Sequence, residues 1–416
     1  MKLLWLCNMA PGAVQAAMDG KKTSGLWVDH VLSDLRKEDL QLHILCPGNG
    51  QRGQLDDKCS FACFPKGDAH VYTPAQEPFF RKELEAFGPD VIHIWGSEYG
   101  HTLAMVRVCG EKGLLNHTVV SIQGLCSIYA PHYAEGVPER VQHRSTFRDF
   151  LQRDNIRNQQ KKFILRGDME RQAMARVRHV IGRTDWDRAC AELLSPEAEY
   201  HFCNETLREE FYRDGWSWDT CEKHRIFASS CVYPIKGFHY LLEAAAIVAR
   251  EYPDVKIAVP GNSFLEAGSF RDRLRRSGYQ SYMAKLCRQG GLTDKIEFLG
   301  KLSADGMKEQ YLKANVFVLP STIENSPNSL GEAMLLGTPC VASDVGGVST
   351  MLEHRREGFI YQSTAPYMLA HYIKKVFAME DRAQALGTAA AEHARVTHDA
   401  RKNLEDLLAV YEMISR

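Results

Sequence analysis

The sequence lacks a long apolar run, and its charge shows no excess of one sign. The apolar run at residues 3–7 is shorter than a signal-peptide core and is more typical of a first strand. No run approaches the roughly 18 apolar residues of a spanning helix. A net charge of -1 argues against a surface devoted to nucleic acid. We therefore expect a cytoplasmic protein that binds no nucleic acid.

The cysteines lack the spacing of a metal site. Cys59 and Cys63 lie close together, but no second pair accompanies them, so a zinc site is disfavoured. Cys7, Cys46 and Cys340 lie inside apolar runs. We interpret the twelve cysteines as reduced core residues of a cytoplasmic protein.

A chain of 416 residues is too long for one ordinary core and predicts two domains of roughly 200 residues each. Short apolar runs alternate with helix-like segments. The runs cover residues 2–7, 41–46, 91–95, 118–122, 179–181, 225–228, 255–259, 295–299, 316–319, 338–342 and 358–361. Continuous apolar strands separated by helices are typical of parallel sheets covered on both faces. We predict two doubly wound α/β domains.

The polar stretch of residues 203–224 has no strand-like run and marks the predicted domain boundary. The predicted ranges are a Rossmann-like domain at 1–205, a second at 206–380, and a C-terminal helical segment at 381–416 that packs back on the first domain. Glycines follow many of the predicted strands, where open α/β sheets bind their ligands. If the two sheets face each other, the active site lies in a cleft between them.

The segment after the run at 316–319 carries the strongest functional signal. We predict that the strand ends at Ser321 and that a helix begins near Pro327, because proline suits the first helical turn. Backbone amides at such a helix start can bind a phosphate at the carboxyl end of the sheet. The amides predicted to do so belong to Asn328, Ser329 and Leu330.

Two carboxylates flank this phosphate site, Glu324 before it and Glu332 inside the helix. A carboxylate repels a phosphate but accepts hydrogen bonds from sugar hydroxyls. A phosphate site between two such carboxylates describes a nucleotide-sugar. In the alternative interpretation, Glu324 caps a turn and Glu332 is a solvated helix residue.

The whole segment resembles the signature of the retaining glycosyltransferases of family 4, which have the GT-B fold. The matching residues are Pro320, Ser321, Glu324, Glu332, Ala333, Met334, Gly337, Pro339, Asp344, Gly346 and Gly347. The resemblance implies a nucleotide-diphosphate sugar as donor substrate, first of all a UDP-sugar, with no other cofactor. It implies that Glu324, together with Asn325, holds the donor sugar and that Glu332 holds the ribose.

The resemblance extends to the segment YPIKGFHYLLEA, whose Lys236 would lie over the donor phosphates. Lys236 and Glu324 are therefore the expected catalytic residues, and the helix start would share the charge of the leaving diphosphate. The resemblance further implies that Gly261 and Asn262 lie in the loop around the base. Gly25 would let the backbone approach the diphosphate.

Transfer is expected to proceed with retention and without a metal ion. The sequence shows no Asp-x-Asp triplet in a predicted loop, which a metal-dependent transferase would use to hold a divalent ion. Two positions depart from the family pattern. Cys231 stands where the family usually has an arginine, and Gln123 stands where many members have a histidine. A glutamine can hydrogen-bond hydroxyls but cannot transfer a proton.

The acceptor side is expected in the first domain. The segment FGPDVIHIWG resembles the family's Pro-Asp-x-x-His strand, and the predicted acceptor-side residues are Gln123, His93 and Glu98. The expected acceptor is a glycan or a glycolipid, which indicates a role in the synthesis of cell-surface polysaccharide or glycolipid.

Residues 139–178 contain eleven Arg and Lys against five Asp and Glu. Arginines and lysines repeat every four residues in two groups of three, and each group predicts one basic helical face. The members are Arg140, Arg144 and Arg148, and then Arg153, Arg157 and Lys161. The stretch is either a solvated helical surface or a contact with an anionic partner, such as the inner face of a membrane or a lipid-diphosphate acceptor.

Three other functions compete with a transferase. An epimerase or phosphorylase would keep the fold, and a non-catalytic protein could bind a sugar nucleotide without turning it over. A nicotinamide dehydrogenase is disfavoured, because NMAPGAVQAAMDG contains no G-x-G-x-x-G.

Overall fold

The computed structural model describes residues 1–20, 27–68, 70–265 and 274–416. The chain forms two compact units. Unit 1 comprises Met1–Ala130, Lys162–Arg208 and Thr397–Arg416. Unit 2 comprises Pro131–Lys161 and Glu209–Val396. The predicted ranges of 1–205, 206–380 and 381–416 therefore differ from the structure in two places.

The first difference concerns residues 131–161, which were predicted in the first domain and belong to unit 2. Asp149 accepts a hydrogen bond from the amide of Gly278 at 2.7 Å. A ring nitrogen of His239 lies 3.1 Å from the carbonyl oxygen of Glu135. These long-range contacts place the segment in unit 2, and a sequence pattern does not reveal such contacts.

The second difference concerns the C-terminal segment, which divides near Thr397. The helix Ala383–Thr397 belongs almost entirely to unit 2, and the helix Ala400–Ile414 belongs to unit 1. In unit 1 the indole nitrogen of Trp5 donates to the hydroxyl of Tyr411 at 3.1 Å.

Unit 1 contains an eight-stranded sheet with the order β3-β4-β2-β1-β5-β6-β7-β8. The strands are β1 (Lys2–Leu6), β2 (Gln41–Gly48), β3 (Arg52–Asp56), β4 (Cys59–Pro65), β5 (Val91–Trp95), β6 (Thr118–Ser121), β7 (His179–Gly182) and β8 (Glu199–Phe202). All neighbours are parallel except β3 and β4. The prediction missed β3, β4 and β8, because β3 and β8 are short and mostly polar and β4 is half of a hairpin with β3.

Unit 2 contains a six-stranded parallel sheet with the order β11-β10-β9-β12-β13-β14. The strands are β9 (Arg225–Phe227), β10 (Lys256–Val259), β11 (Ile296–Phe298), β12 (Val316–Leu319), β13 (Cys340–Asp344) and β14 (Gly358–Gln362). The strand order reverses between β9 and β12. In such sheets the loops after these two strands open a crevice at the carboxyl edge, where ligands bind.

Helices alternate with the strands in both units. They are Gly12–Asp19, Trp27–Leu35, Glu77–Phe87, Gly100–Glu111, Cys126–His132, Glu139–Gln142, Phe147–Gln152, Ile156–Met174, Asp185–Leu194, Phe238–Val248, Gly278–Gln289, Ala304–Lys313, Asn328–Leu336, Val348–Met351, Pro366–Phe377, Ala383–Thr397 and Ala400–Ile414. Within the described ranges, no helix is both long and apolar enough to cross a membrane. The twelve cysteines, all in those ranges, are buried and form no disulfide, as the prediction of core residues requires.

The two predicted basic faces are wrong as single helical faces. The first helix ends at Gln142, and a new helix starts only after Thr146, whose hydroxyl accepts a hydrogen bond from the amide of Asp149. Arg153 ends that second helix in a left-handed conformation, with φ 49°. The basic residues therefore lie on three separate helices and in the loops between them, and the stretch 139–178 is divided between the two units.

Candidate functional site

The loop after β9 brings Lys236 to the carboxyl edge of the unit 2 sheet. A 3₁₀ turn, Pro234–Lys236, leads to Gly237, which has φ +63° and precedes the helix Phe238–Val248. A β-carbon on Gly237 would lie 1.7 Å from the carbonyl oxygen of Pro320. Only glycine fits here, so the Lys-Gly pair sets this loop directly against the loop that follows β12.

The loop after β12 carries Glu324, whose side chain is almost fully buried. Its Oε1 accepts hydrogen bonds from the ammonium of Lys236 at 2.6 Å and from the hydroxyl of Ser321 at 2.7 Å. The amide of Thr322 donates to the carbonyl of Ile235 at 2.9 Å. The two predicted catalytic residues therefore lie in contact at the point where the strand order reverses.

A third loop, after β13, fixes the backbone of Glu324. Gly346 has φ +52°, and a β-carbon there would lie 1.8 Å from the carbonyl oxygen of Glu324. The amide of Gly347 donates to that same oxygen at 3.1 Å. The Asp-x-Gly-Gly turn thus holds the backbone of Glu324, whereas Lys236 contacts its side chain.

The helix Asn328–Leu336 starts beside this loop, as predicted, with Pro327 as its N-cap residue. In the described chain, no side chain caps this helix. The amide of Leu330 was predicted to bind phosphate, but it donates to the carbonyl of Pro327 at 2.9 Å. The amides of Asn328 and Ser329 remain as the candidates for an anion at this positive helix end.

Glu332 is buried within the same helix rather than solvated. The hydroxyl of Tyr311 lies 3.5 Å from its Oε2 and donates to the carbonyl of Ser329 at 3.0 Å. Asn325 is buried directly after Glu324. The predicted contact of Glu332 with a ribose stays a prediction.

Cys231 occupies the position where a second cation was expected. Its thiol is buried and donates to the carbonyl of Pro260 at 3.6 Å. Burial raises the pKa of Cys231 to about 12, so the thiol is neutral at pH 7. At this position the site therefore contains an uncharged side chain, and Lys236 is the cation that reaches Glu324.

The loops after β10 and β11 are joined by Gly261 and Gly300. The amide of Gly261 donates to Gly300 at 2.8 Å, and the amide of Gly300 donates back at 3.1 Å. The neighbouring Asn262 and Lys301 are exposed. The predicted place of Gly261 and Asn262 around a nucleotide base stays a prediction, and Gly25 lies outside the described residues.

In unit 1, His93 is wrong as an acceptor-side residue. It lies fully buried in β5, where burial lowers its pKa to about 3. One ring nitrogen lies 2.5 Å from the hydroxyl of Tyr411, and the other lies 2.7 Å from the hydroxyl of Ser121. Both nitrogens are therefore occupied inside unit 1, and the role of His93 is packing.

Gln123 is hydrogen-bonded to the ion pair of Arg183 with Glu205, which the sequence did not indicate. Its Nε2 donates to Oε1 of Glu205 at 2.5 Å, and Arg183 pairs with the same carboxylate oxygen. Arg183 and Glu205 are both buried. The carbonyl oxygen of Gln123 is not used by this contact, and it can accept a hydrogen bond from a hydroxyl.

Glu98 belongs to a buried charged cluster at the ends of β5 and β6. Its carboxylate lies 3.3 Å from the guanidinium of Arg166, which also lies over the ring of Tyr99 at 4.6 Å. Glu170, from the same helix as Arg166, accepts hydrogen bonds from the amides of Ser127 and Cys126 and from the hydroxyls of Ser97 and Ser127. Burial raises the pKa of Glu170 to about 7. Because this helix contributes its residues from far along the chain, no local sequence signal points to the cluster.

The chain does contain one Asp-x-Asp sequence, at residues 185–187, but it is not in a loop. It opens the helix Asp185–Leu194, where buried Asp187 forms a reciprocal cap with Thr184. Asp187 also accepts a hydrogen bond from the hydroxyl of Tyr200 at 2.6 Å. Its carboxylate is therefore occupied by the helix cap, which does not suit it to hold a metal-bound diphosphate.

Comparison with known proteins places a family domain on this part of the chain. Residues 212–393 match the family described as Glycosyl transferases group 1, so the chain carries a domain of that group. A segment of 155 residues is 31% identical to an uncharacterized glycosyltransferase of Methanocaldococcus jannaschii and covers 37% of this chain and 36% of the relative. A segment of 165 residues is 28% identical to a D-inositol 3-phosphate glycosyltransferase of Streptomyces scabiei and covers 39% of this chain and 35% of the relative. The matched segments thus span about a third of these curated relatives.

Solved structures match the chain along its whole length. Sucrose-phosphate synthase from Thermosynechococcus elongatus matches with a TM-score of 0.72 and 15% identity, covering 100% of this chain and 99% of that one. Anabaena HepE in complex with UDP matches with a TM-score of 0.65 and 14% identity, covering 99% of this chain and 100% of that one. The predicted GT-B fold is confirmed.

Proposed function

We propose that this chain, with its glycosyl transferases group 1 domain, is a retaining and metal-independent glycosyltransferase. It moves a hexosyl or N-acetylhexosaminyl group from a nucleotide-diphosphate sugar to a hydroxyl of a glycan or glycolipid. The preferred donor is a UDP-sugar. Its place is the cytoplasm, in the synthesis of cell-surface polysaccharide or glycolipid. The observation that carries this proposal is the contact of Lys236 with Glu324, 2.6 Å apart beside an uncapped helix start.

Each group at this site has a task in such a transfer. The ammonium of Lys236 and the amides of Asn328 and Ser329 neutralise the diphosphate as the bond to the sugar breaks. Glu324 accepts hydrogen bonds from donor sugar hydroxyls, with Ser321 holding its Oε1 at 2.7 Å. The acceptor hydroxyl attacks the face from which the diphosphate leaves and gives its proton to the departing phosphate oxygen. The configuration is therefore retained, and no side chain has to act as general base.

The UDP preference is supported by a neighbour with the same fold that was solved as a complex with UDP. On the acceptor side we place Gln123 and Glu98 of unit 1, because Gln123 has a carbonyl oxygen directed away from its contact with Glu205. The membrane contact expected for residues 139–178 fits a glycolipid acceptor on the inner face of a membrane.

The test starts with binding. Thermal unfolding is measured with a panel of UDP-, GDP- and ADP-sugars and the free diphosphates, and we expect one base series to stabilise the protein. Product release is then measured with that donor for the native protein, for Glu324→Gln and for the exposed control Glu309→Gln, and the product anomer is read by NMR. The proposal fails if no donor stabilises the protein, or if Glu324→Gln keeps the native rate.

A second candidate is a protein that binds a sugar nucleotide without transferring the sugar. The neutral thiol of Cys231 favours it, because the leaving diphosphate loses one cation. Binding without release of any diphosphate, with the whole acceptor panel, would support this candidate. Release that depends on inorganic phosphate, or a changed sugar without release, would instead indicate a phosphorylase or an epimerase.

A further inference from the structure

The helix Phe147–Gln152 turns its apolar face outward. Phe147, Phe150 and Leu151 are 57%, 74% and 65% exposed. Their spacing places all three on one side of the helix. Isolated exposed apolar residues are common, but three large ones on a helix of six residues form a patch that marks an interaction site.

The orientation of this helix is fixed by its only acidic residue, which points inward. Asp149 is buried, accepts from the amide of Gly278 at 2.7 Å and forms a reciprocal cap with Thr146. The usual arrangement, with apolar residues inside and charges outside, is thus reversed. Because Asp149 is hydrogen-bonded both to Gly278 and to Thr146, the helix cannot turn its apolar face inward without breaking these hydrogen bonds.

The chain around this helix carries an excess of positive charge. Residues 139–161 contain six Arg and Lys against three Asp and Glu. Arg148 lies 3.1 Å from Asp149 and 3.6 Å from Asp154, so it pairs with both of these acids. The exposed basic residues are Arg140, Arg144, Arg153 and Lys161. A groove beside the helix adds Leu274 and exposed Arg275.

We infer that this surface, formed by Phe147, Phe150 and Leu151 with the surrounding arginines, docks on an anionic lipid bilayer. Apolar side chains enter the boundary of the acyl chains, and basic side chains pair with anionic headgroups. A second copy of this chain fits less well, because two identical positive surfaces would repel each other. The inference deepens the lipid contact of the proposed function, but bilayer binding itself does not require sugar transfer.

The test is co-sedimentation of the full chain with phosphatidylcholine vesicles, with and without phosphatidylglycerol, at low and high salt. We expect binding to the anionic vesicles that weakens with salt. The double variant Phe150→Ser, Leu151→Ser should lower the partition coefficient at least about tenfold. Arg144→Gln with Arg153→Asn should lower it about tenfold or more on anionic vesicles alone, and asparagine tolerates the left-handed backbone of position 153.

The matched control is Leu193→Ser with Tyr367→Ser, two apolar residues that are 71% and 64% exposed elsewhere. It should bind as the native protein does, and all variants should keep the native melting temperature. Absence of vesicle binding, an equal loss in the control, or a native dimer that Phe150→Ser, Leu151→Ser dissociates would each overturn the inference. Glu324→Ala separates the two proposals, because it should lose transfer and still bind vesicles.

Discussion

The ammonium of Lys236 lies 2.6 Å from Oε1 of Glu324, although 88 positions separate the two residues in the chain. Each neutralises the other while no donor is bound. A diphosphate that draws Lys236 toward itself leaves a charged carboxylate ready for the hydroxyls of the sugar. Binding of the phosphate and of the sugar should therefore be coupled through this pair.

Removing either residue of the pair should lower kcat/KM for sugar transfer at least about 100-fold. The double variant Lys236→Ala, Glu324→Gln should lose less than the product of the two single effects, because the residues interact directly. Release of the nucleotide diphosphate is the readout. The exposed ion pair of Lys313 with Glu309 serves as control, and its single variants should keep the native rate. Strictly multiplicative effects at Lys236 and Glu324 would contradict the coupling.

Gly237→Ala should destabilise the protein by about 3 kcal/mol or more, because it adds a left-handed strain to a clash with the carbonyl of Pro320. Gly291→Ala is the matched control. Gly291 has a similar φ of +65°, but a β-carbon there meets nothing within 4 Å. The control should cost about 1 kcal/mol. Urea unfolding measures the stability of both variants. Equal losses of free energy would show that the loops after β9 and β12 do not need their close contact.

Glu205→Ala should cost about 3 kcal/mol, because it leaves buried Arg183 without its carboxylate. Gln123→Leu removes one neutral donor and leaves the ion pair in place, so it should cost about 1 kcal/mol. Urea unfolding of the two variants gives the comparison. If Gln123→Leu lowers the free energy of unfolding as much as Glu205→Ala does, Gln123 is not a side chain that only adds one hydrogen bond to the ion pair.

The contribution of Glu170 to the stability of the protein should fall as the pH rises from about 4.5 to about 7. Its pKa is raised by burial, so the native state keeps the proton in this window while the unfolded chain has released it. This contribution to the free energy of unfolding then decreases with pH, by about 3 kcal/mol across the window.

Glu170→Gln should lack this contribution, since glutamine carries no proton to lose. The free energy of unfolding of the native protein should therefore fall relative to that of the variant as the pH rises. The measurement is urea unfolding of native and variant protein at pH 5 and at pH 8. The control is Asp168→Asn, on the same helix but exposed and paired with Arg171 at 2.6 Å. A difference between the native protein and Glu170→Gln that is the same at pH 5 and at pH 8 would contradict this role of Glu170.

Continuous apolar runs identified most of the parallel strands, because strands buried on both faces consist mainly of apolar residues. The same rule missed β3 and β8, whose side chains are only partly buried. Regular spacing of arginines suggested two helical faces. Thr146 and the left-handed Arg153 instead start and end a separate short helix, so neither group of three lies on a single helical face. Spacing alone does not reveal where a helix is interrupted.

The site in unit 2 was predictable because its residues lie in two short segments with fixed spacing, one containing Lys236 and one containing Glu324. Lys236 and Glu324 meet because their loops follow β9 and β12, which are neighbours in the sheet. The partners of Gln123 and Glu98 were not predictable. Glu205 and Arg166 reach them from elements that are distant in sequence, and only the packing of unit 1 brings these residues together.

Residues 131–161 belong to unit 2, although unit 1 surrounds them in the sequence. No single cut through the chain can therefore separate the units. A fragment that starts at residue 209 would lack the partners of Gly278 and His239. During synthesis this segment emerges well before the rest of unit 2, and it must wait for those partners. The order of translation therefore prevents unit 2 from completing its fold until most of the chain has been made.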